Sequence, residues 1–186
     1  MYGYVKVGSA VPKLRVADCV YNKEEILKLV EAAAAKQVRV LSFPELSVTG
    51  YTCADLFFQA PLLHAAEQAI QEIAETTKAL NIFLLIGVPI AVDNQMFNCA
   101  VALYKGKLLG IVPKTHIPNY SEFYEERWFA SADDLLTEEI TYAGQSVPIG
   151  ADLIFAAADF PALKIGVEIC EDLWVPIPPS SYLSLY

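Results

Sequence analysis

The residues from Ile82 to Pro89 form a continuous apolar run, and this run most restricts how the chain can fold. A run without a polar face is typical of a strand that is covered on both sides. A helix is predicted directly before it, at Pro61–Leu80, from apolar residues at helical spacing. The same order occurs earlier, where a predicted helix at Asn22–Lys36 precedes the apolar strand Val38–Phe43. Alternating strands and helices predict an α/β fold, with helices on one face of a mixed sheet and a second sheet on the other, equally apolar face.

The remaining elements are predicted from local signals. Asn22 is interpreted as the cap of its helix, because Glu25 follows at the spacing of a capping box. A hairpin is predicted around the two-residue turn Lys105-Gly106, and the segment from Pro113 to Ala130 is expected to be irregular. The other predicted strands are Val5–Val7, Lys13–Val16, Phe97–Tyr104, Lys107–Val112 and Ala162–Ile169, the last ending at Cys170.

Composition excludes several classes of protein. The chain has 186 residues, a one-domain length, and its 13 Lys+Arg against 22 Asp+Glu give a net charge of −9. So acidic a chain is a poor binder of nucleic acid, whose phosphates are held by Lys and Arg. With 55% hydrophobic residues and 19% charged residues it is not disordered. The longest runs without a charge, 79–92 and 173–186, are shorter than the ~20 residues of a membrane span and are broken by proline. Without a recognisable secretion signal, a soluble cytoplasmic chain is expected.

The cysteines and histidines give no metal-binding pattern. Cys19, Cys53, Cys99 and Cys170 are far apart in the sequence and form no CxxC pair, and only two histidines are present. No metal site is therefore predicted, and disulfides are not expected in a cytoplasmic chain. Each cysteine is by default a small buried hydrophobe.

Three residues that can take part in chemistry lie at or just beyond the ends of predicted strands: Glu45, Lys114 and Cys170. Taken singly, each has an ordinary interpretation: a turn glutamate, a solvated lysine and an inert buried cysteine. His116 is interpreted as a loop histidine, since no acidic partner stands at a fixed spacing. Taken together, the three side chains can perform acyl transfer, because a thiol attacks, a carboxylate moves protons and an ammonium stabilises the oxyanion.

Three longer segments give a more specific resemblance. They are Met1–Val5 followed by Val16-Ala17-Asp18, then Lys114–Tyr120 running into Glu122–Phe129, and finally Gly166–Pro176. Together with the segment around Glu45, they resemble the nitrilase (carbon–nitrogen hydrolase) superfamily over nearly the whole chain. Two of these segments are more specific. The aromatic loop from Tyr120 to Phe129 and the run Cys-Glu-Asp-Leu-Trp from Cys170 are similar to the amidase domain of the glutamine-dependent NAD+ synthetases.

The resemblance implies a fold and a catalytic triad. The fold would be the superfamily's α-β-β-α sandwich. Cys170 would attack the side-chain amide of glutamine to form a thioester, Glu45 would be the general base and Lys114 would hold the oxyanion.

The resemblance also implies supporting residues and partners. Glu125 matches a glutamate that positions the lysine, while Tyr120 and Glu171 match positions that contact the glutamine substrate. The amidase step would need no cofactor. ATP and Mg²⁺ would serve only a synthetase domain, the partner that uses the ammonia to make NAD+, and assembly into a homo-oligomer is expected.

The chain also departs from the family it resembles. It stops at Tyr186, soon after Cys170, so the C-terminal part of the sandwich and the synthetase domain are expected to be missing. Two other functions therefore stay open. The chain could be a carbon–nitrogen hydrolase for another small amide, carbamoyl compound or nitrile, or an inactive remnant that binds a partner through its exposed sheet.

Overall fold

The chain folds around a five-stranded mixed sheet. A computed structural model describes residues 3–186; Met1 and Tyr2, which begin the first segment of resemblance, lie outside the described residues. The first three strands are parallel to one another, whereas the fourth strand pairs antiparallel with both the third and the fifth, so the predicted mixed sheet is confirmed. In spatial order the strands are β1 (Val7–Ser9), β2 (Val40–Ser42), β3 (Phe83–Val92), β4 (Gln95–Tyr104) and β5 (Lys107–Pro113).

Two long helices, α1 (Cys19–Ala35) and α2 (Ala60–Thr77), pack on one face of this sheet. Helix α2 was predicted to within a few residues. Helix α1 begins before the predicted position because its cap is Asp18, whose side chain accepts the Tyr21 N–H at 3.0 Å. The predicted cap, Asn22, is fully buried, and its side-chain amide instead donates to the carbonyl oxygens of Arg15 and Val48.

The two faces of the sheet are covered unequally. On β3, Leu84, Ile86 and Val88 are fully buried in the large core under the helices. The opposite face carries a small core that includes Ala100 and Val112. It is covered by residues between 153 and 169, which include the hairpin of β8 (Phe155–Ala157) and β9 (Phe160–Ile165). The predicted second layer is therefore present as a two-stranded hairpin.

Two further elements were not predicted from the sequence. A hairpin of β6 (Glu139–Tyr142) and β7 (Gln145–Pro148) leads into Ile149, which forms a parallel bridge with Ile111 of β5. A short helix, α3 (Pro179–Leu183), is the last element of the chain.

One predicted strand is absent, and another was predicted to extend too far. The segment Lys13–Val16 is not a strand, because the side chain of Asn22 occupies the backbone N–H and C=O of Arg15. The strand predicted at Ala162–Ile169 ends at Ile165, and the Ile169 N–H donates to the side chain of Asp172 instead of to a neighbouring strand. Cys170 thus follows an irregular segment and not a strand of the main sheet.

No helix among residues 3–186 is both long and apolar enough to cross a bilayer.

Candidate active site

Glu45 lies in a tight turn that crosses directly over strand β3. The turn follows β2, and Leu46 has a left-handed backbone with φ 51°. The Val48 N–H donates to the carbonyl oxygen of Gly87 on β3 at 3.1 Å. A Cβ atom added at Gly87 would overlap the backbone N of Leu46 and lie 2.5 Å from the carbonyl oxygen of Pro44. Glycine at position 87 therefore allows the turn to hold Glu45 over the sheet.

Lys114 directly follows β5 and has no exposed surface. Its ammonium donates to Glu45 Oε1 at 2.7 Å and to Glu125 Oε2 at 2.8 Å. Burial pulls the pKa of Lys114 down, but the two carboxylates outweigh burial, so the pKa is raised above its ordinary value. The side chain therefore stays a cation, held between two carboxylates.

Glu125 is buried in a 3-10 turn, Glu125–Arg127, and its carboxylate is held from two sides. Lys114 donates to both of its oxygens, and the Tyr51 hydroxyl donates to Oε1 at 2.6 Å. Burial and this bond to Glu125 raise the pKa of Tyr51, so its hydroxyl stays protonated as a donor. Glu125 thus fixes the position of the Lys114 ammonium.

Cys170 begins a 3-10 turn, Cys170–Leu173, and its side chain is exposed while the other three cysteines are buried. Its φ is 49°, a left-handed conformation that residues other than glycine rarely adopt and that occurs at functional turns. Partial burial and Glu45 raise the pKa of the Cys170 thiol, while Lys114 opposes them. The resting side chain is therefore a thiol, which needs a base to become a nucleophile.

Tyr120 and Glu171 meet at the surface beside the three catalytic candidates. The Tyr120 hydroxyl lies 2.9 Å from each oxygen of the Glu171 carboxylate. Both residues, together with His116, line an open cleft of about 600 Å³ that Glu45, Lys114 and Cys170 do not line. The structure thus brings Glu45, Lys114, Glu125 and Cys170 into one cluster, with the Tyr120–Glu171 pair at its edge.

Sequence reasoning missed two residues of this cluster. Asn98 on β4 is fully buried, and its side-chain amide donates to Glu45 Oε1. Its backbone carbonyl oxygen accepts the backbone N–H of Lys114 at 2.8 Å. An amide inside the otherwise apolar run of β4 was a signal that could have identified it. Tyr51 is the other missed residue, and nothing in its sequence context indicated contact with Glu125.

The other cysteines do not compete with Cys170 as nucleophiles. Cys19, Cys53 and Cys99 are buried, and burial raises the thiol pKa of each one, that of Cys19 to about 11. Within residues 3–186, no three His, Cys, Asp or Glu side chains are grouped so that they could hold a metal ion.

A family model for carbon-nitrogen hydrolases matches residues 6–178, which include every residue of the cluster. The chain belongs to the carbon–nitrogen hydrolase family. Over 184 residues it is 35% identical to the glutamine-dependent NAD+ synthetase of Mycobacterium tuberculosis, and this match covers 99% of the chain but 27% of the relative. It is 37% identical to the Mycobacterium leprae enzyme of the same name, again over 27% of that relative. This carbon–nitrogen hydrolase chain thus spans about a quarter of the length of these relatives.

Solved structures agree with this family membership. The glutamine-dependent NAD+ synthetase of Cytophaga hutchinsonii superposes with a TM-score of 0.81 at 30% identity, over 90% of this chain and 28% of that one. An amidase from Nesterenkonia superposes with a TM-score of 0.66 over 90% of this chain and 59% of that one. Since its identity is 17%, the amidase supports the fold alone. The nitrilase-type fold expected from the resemblance is therefore confirmed.

Proposed function

We propose that this chain is the glutaminase part of a cytoplasmic glutamine-dependent NAD+ synthetase. The observation that carries the proposal is the buried Lys114 ammonium, held between Glu45 and Glu125 beside the exposed Cys170 thiol at a left-handed turn. The names of the relatives support glutamine as the substrate. In the longer protein, the released ammonia would be used in an ATP- and Mg²⁺-dependent amidation of deamido-NAD+. The amidase step itself needs no cofactor.

The first half of the proposed reaction forms a thioester. Glu45 takes the proton of the Cys170 thiol, and the thiolate attacks the amide carbon of glutamine. The carbonyl electrons move to oxygen, and the Lys114 ammonium stabilises this oxyanion. When the oxyanion collapses, the C–N bond breaks, and Glu45 returns its proton to the leaving nitrogen, which departs as ammonia.

The second half regenerates the enzyme. A water molecule gives a proton to Glu45 while its oxygen attacks the thioester carbon. The C–S bond then breaks, the sulfur recovers a proton from Glu45, and glutamate is released. Glu125 keeps the Lys114 ammonium in place during both halves. At the rim, the Glu171 carboxylate, oriented by Tyr120, would pair with the α-ammonium group of glutamine.

The proposal is tested by mass-spectrometric labelling of the chain with 6-diazo-5-oxo-norleucine, an electrophile that mimics glutamine. We expect rapid labelling of Cys170 alone, and a decrease of about 100-fold or more in Glu45→Ala and Lys114→Ala. Slow labelling spread over Cys19, Cys53, Cys99 and Cys170 would contradict the proposal. Protection by glutamine but not by asparagine or acetamide separates a glutaminase from a hydrolase of other small amides.

Assembly into a homo-oligomer is a separate part of the proposal. We expect light scattering after size-exclusion chromatography to give a mass of at least twice the 20.4 kDa of one chain. A monomer at micromolar concentration would contradict this part and leave the chemistry of the site untouched.

A further inference from the structure

Asp172 is a buried carboxylate that has no role in the proposed reaction. It is 2% exposed, and no ion pair within residues 3–186 includes it. A carboxylate buried without a counter-ion is unfavourable unless hydrogen bonds compensate it, so a packing role alone would be better served by an apolar side chain.

Three backbone N–H groups satisfy this carboxylate. Oδ1 accepts from Thr115 at 3.1 Å and from His116 at 2.7 Å, while Oδ2 accepts from Ile169 at 3.0 Å. Hydrogen bonds to a carboxylate are stronger than those between neutral groups. Burial raises the pKa of Asp172 and these three donors oppose it, so the bonds hold the charge that burial disfavours.

The three donors belong to two segments that meet at the site. Thr115 and His116 directly follow Lys114 in the chain, and Ile169 directly precedes Cys170. The Asp172 N–H also donates to the carbonyl oxygen of Ile169 at 3.1 Å, so side chain and backbone together close the turn that begins at Cys170. One carboxylate thus stabilises the left-handed turn of the nucleophile and ties it to the strand end that carries Lys114.

We propose that Asp172 is a positioning residue that holds the Cys170 thiol within reach of Glu45 and Lys114. This inference rests on the proposed function, because the position of the Cys170 thiol affects catalysis only if Cys170 is the nucleophile. Without the carboxylate, the turn is released from the residues that follow Lys114. The Cys170 thiol then responds less to the charges of the cluster, although the cluster itself remains.

The test measures how strongly Cys170 is coupled to Glu45, with and without the carboxylate of Asp172. The rate of Cys170 alkylation by iodoacetamide is measured as a function of pH. The proteins compared are the unaltered chain, Glu45→Gln, Asp172→Asn and the variant that carries both substitutions. Glu45 raises the pKa of the Cys170 thiol, so Glu45→Gln moves the alkylation midpoint to lower pH. We expect this shift to fall to less than half in the Asp172→Asn background. An equal shift in both backgrounds would overturn the inference.

A matched control separates positioning from the general loss of a carboxylate. Asp18 also accepts a backbone N–H at a helical turn, that of Tyr21, where it caps α1, and its carboxylate pairs with Arg15, which is not a residue of the cluster. Asp18→Asn is therefore expected to leave the Glu45-dependent shift unchanged. Loss of the shift in Asp18→Asn as well would show a general effect of stability and would also overturn the inference.

A second measurement needs no variant and applies if Asp172→Asn fails to fold. In the ¹⁵N-labelled chain, the amide resonances of Thr115, His116 and Ile169 should titrate together as Asp172 is protonated. Three unrelated midpoints would overturn the inference.

The alkylation and labelling experiments also separate the two proposals, because iodoacetamide reacts with a thiol without needing a glutamine site. Absence of labelling by 6-diazo-5-oxo-norleucine, with the alkylation coupling intact, counts against the glutaminase and leaves the positioning role standing.

Discussion

At the scale of single residues, Lys114 dominates the energetics of the site. Its ammonium is fully buried between two carboxylates, and the Tyr51 hydroxyl and the Asn98 amide each bind one of these carboxylates from the other side. Desolvation of three charges is costly, and the hydrogen bonds among these groups offset this cost. Such a network is sensitive to the loss of any one member.

Replacement of Lys114 by alanine tests this account. Lys114→Ala leaves the carboxylates of Glu45 and Glu125 without their cation, so we expect a loss of about 3–5 kcal/mol in the free energy of unfolding at neutral pH. Urea denaturation at neutral pH measures this loss. The control is Lys28→Ala, which removes an exposed pair with Glu25 and should change the free energy of unfolding very little.

At the scale of elements, the site depends on how closely the turn after β2 approaches β3. The turn passes over Gly87, and no side chain fits between them. The position of Glu45 is therefore a property of two elements together. Any other residue at position 87 would push the turn, and with it the Glu45 carboxylate, away from Lys114.

The substitution Gly87→Ala tests this close approach. The added methyl overlaps backbone atoms of the turn, so we expect a loss of about 1–3 kcal/mol in stability, together with slower labelling of Cys170. Gly8→Ala in β1 is the matched control, because its added Cβ would lie 3.4 Å from Leu41 Cδ1, an ordinary contact. If both variants unfold at the same urea concentration as the unchanged chain, the turn does not approach β3 as closely as described.

At the scale of the whole molecule, the two faces of the sheet differ in how much core they carry. The face under α1 and α2 holds the large core, while the opposite face holds a small cluster around Ala100 and Val112. Burial of apolar surface is the main source of stability, so the helix-covered face should contribute most of it. The site lies on a framework that is stabilised mainly from one side.

Substitution of two neighbouring leucines of β3 measures how much each face of the sheet contributes to stability. Leu84 is fully buried in the large core, whereas Leu85 is only partly buried and packs against the small one. We expect Leu84→Ala to cost about 2–5 kcal/mol in the free energy of unfolding, and Leu85→Ala clearly less. Urea denaturation of both variants gives the comparison. Equal losses would mean that the two cores contribute equally.

The sequence by itself determined the long elements and the chemical types available at their ends. The apolar run of β3 and the helical spacing of α2 are local patterns, and both were predicted because a strand or helix of that length needs few distant contacts to be recognised. The short strands β6 to β9 were missed or misplaced because three to six residues carry too little periodicity.

Only the tertiary structure decided which side chains meet. Glu45 and Lys114 are 69 positions apart, and Tyr51 and Glu125 are 74 positions apart, yet each pair shares a hydrogen bond. The turn at Cys170 likewise takes its shape from backbone groups beside Lys114, which Asp172 binds. Such contacts depend on how loops pack after the sheet has formed, and no pattern along the chain records that packing. The sequence therefore predicted the reactive groups, while the fold alone set the distances between them.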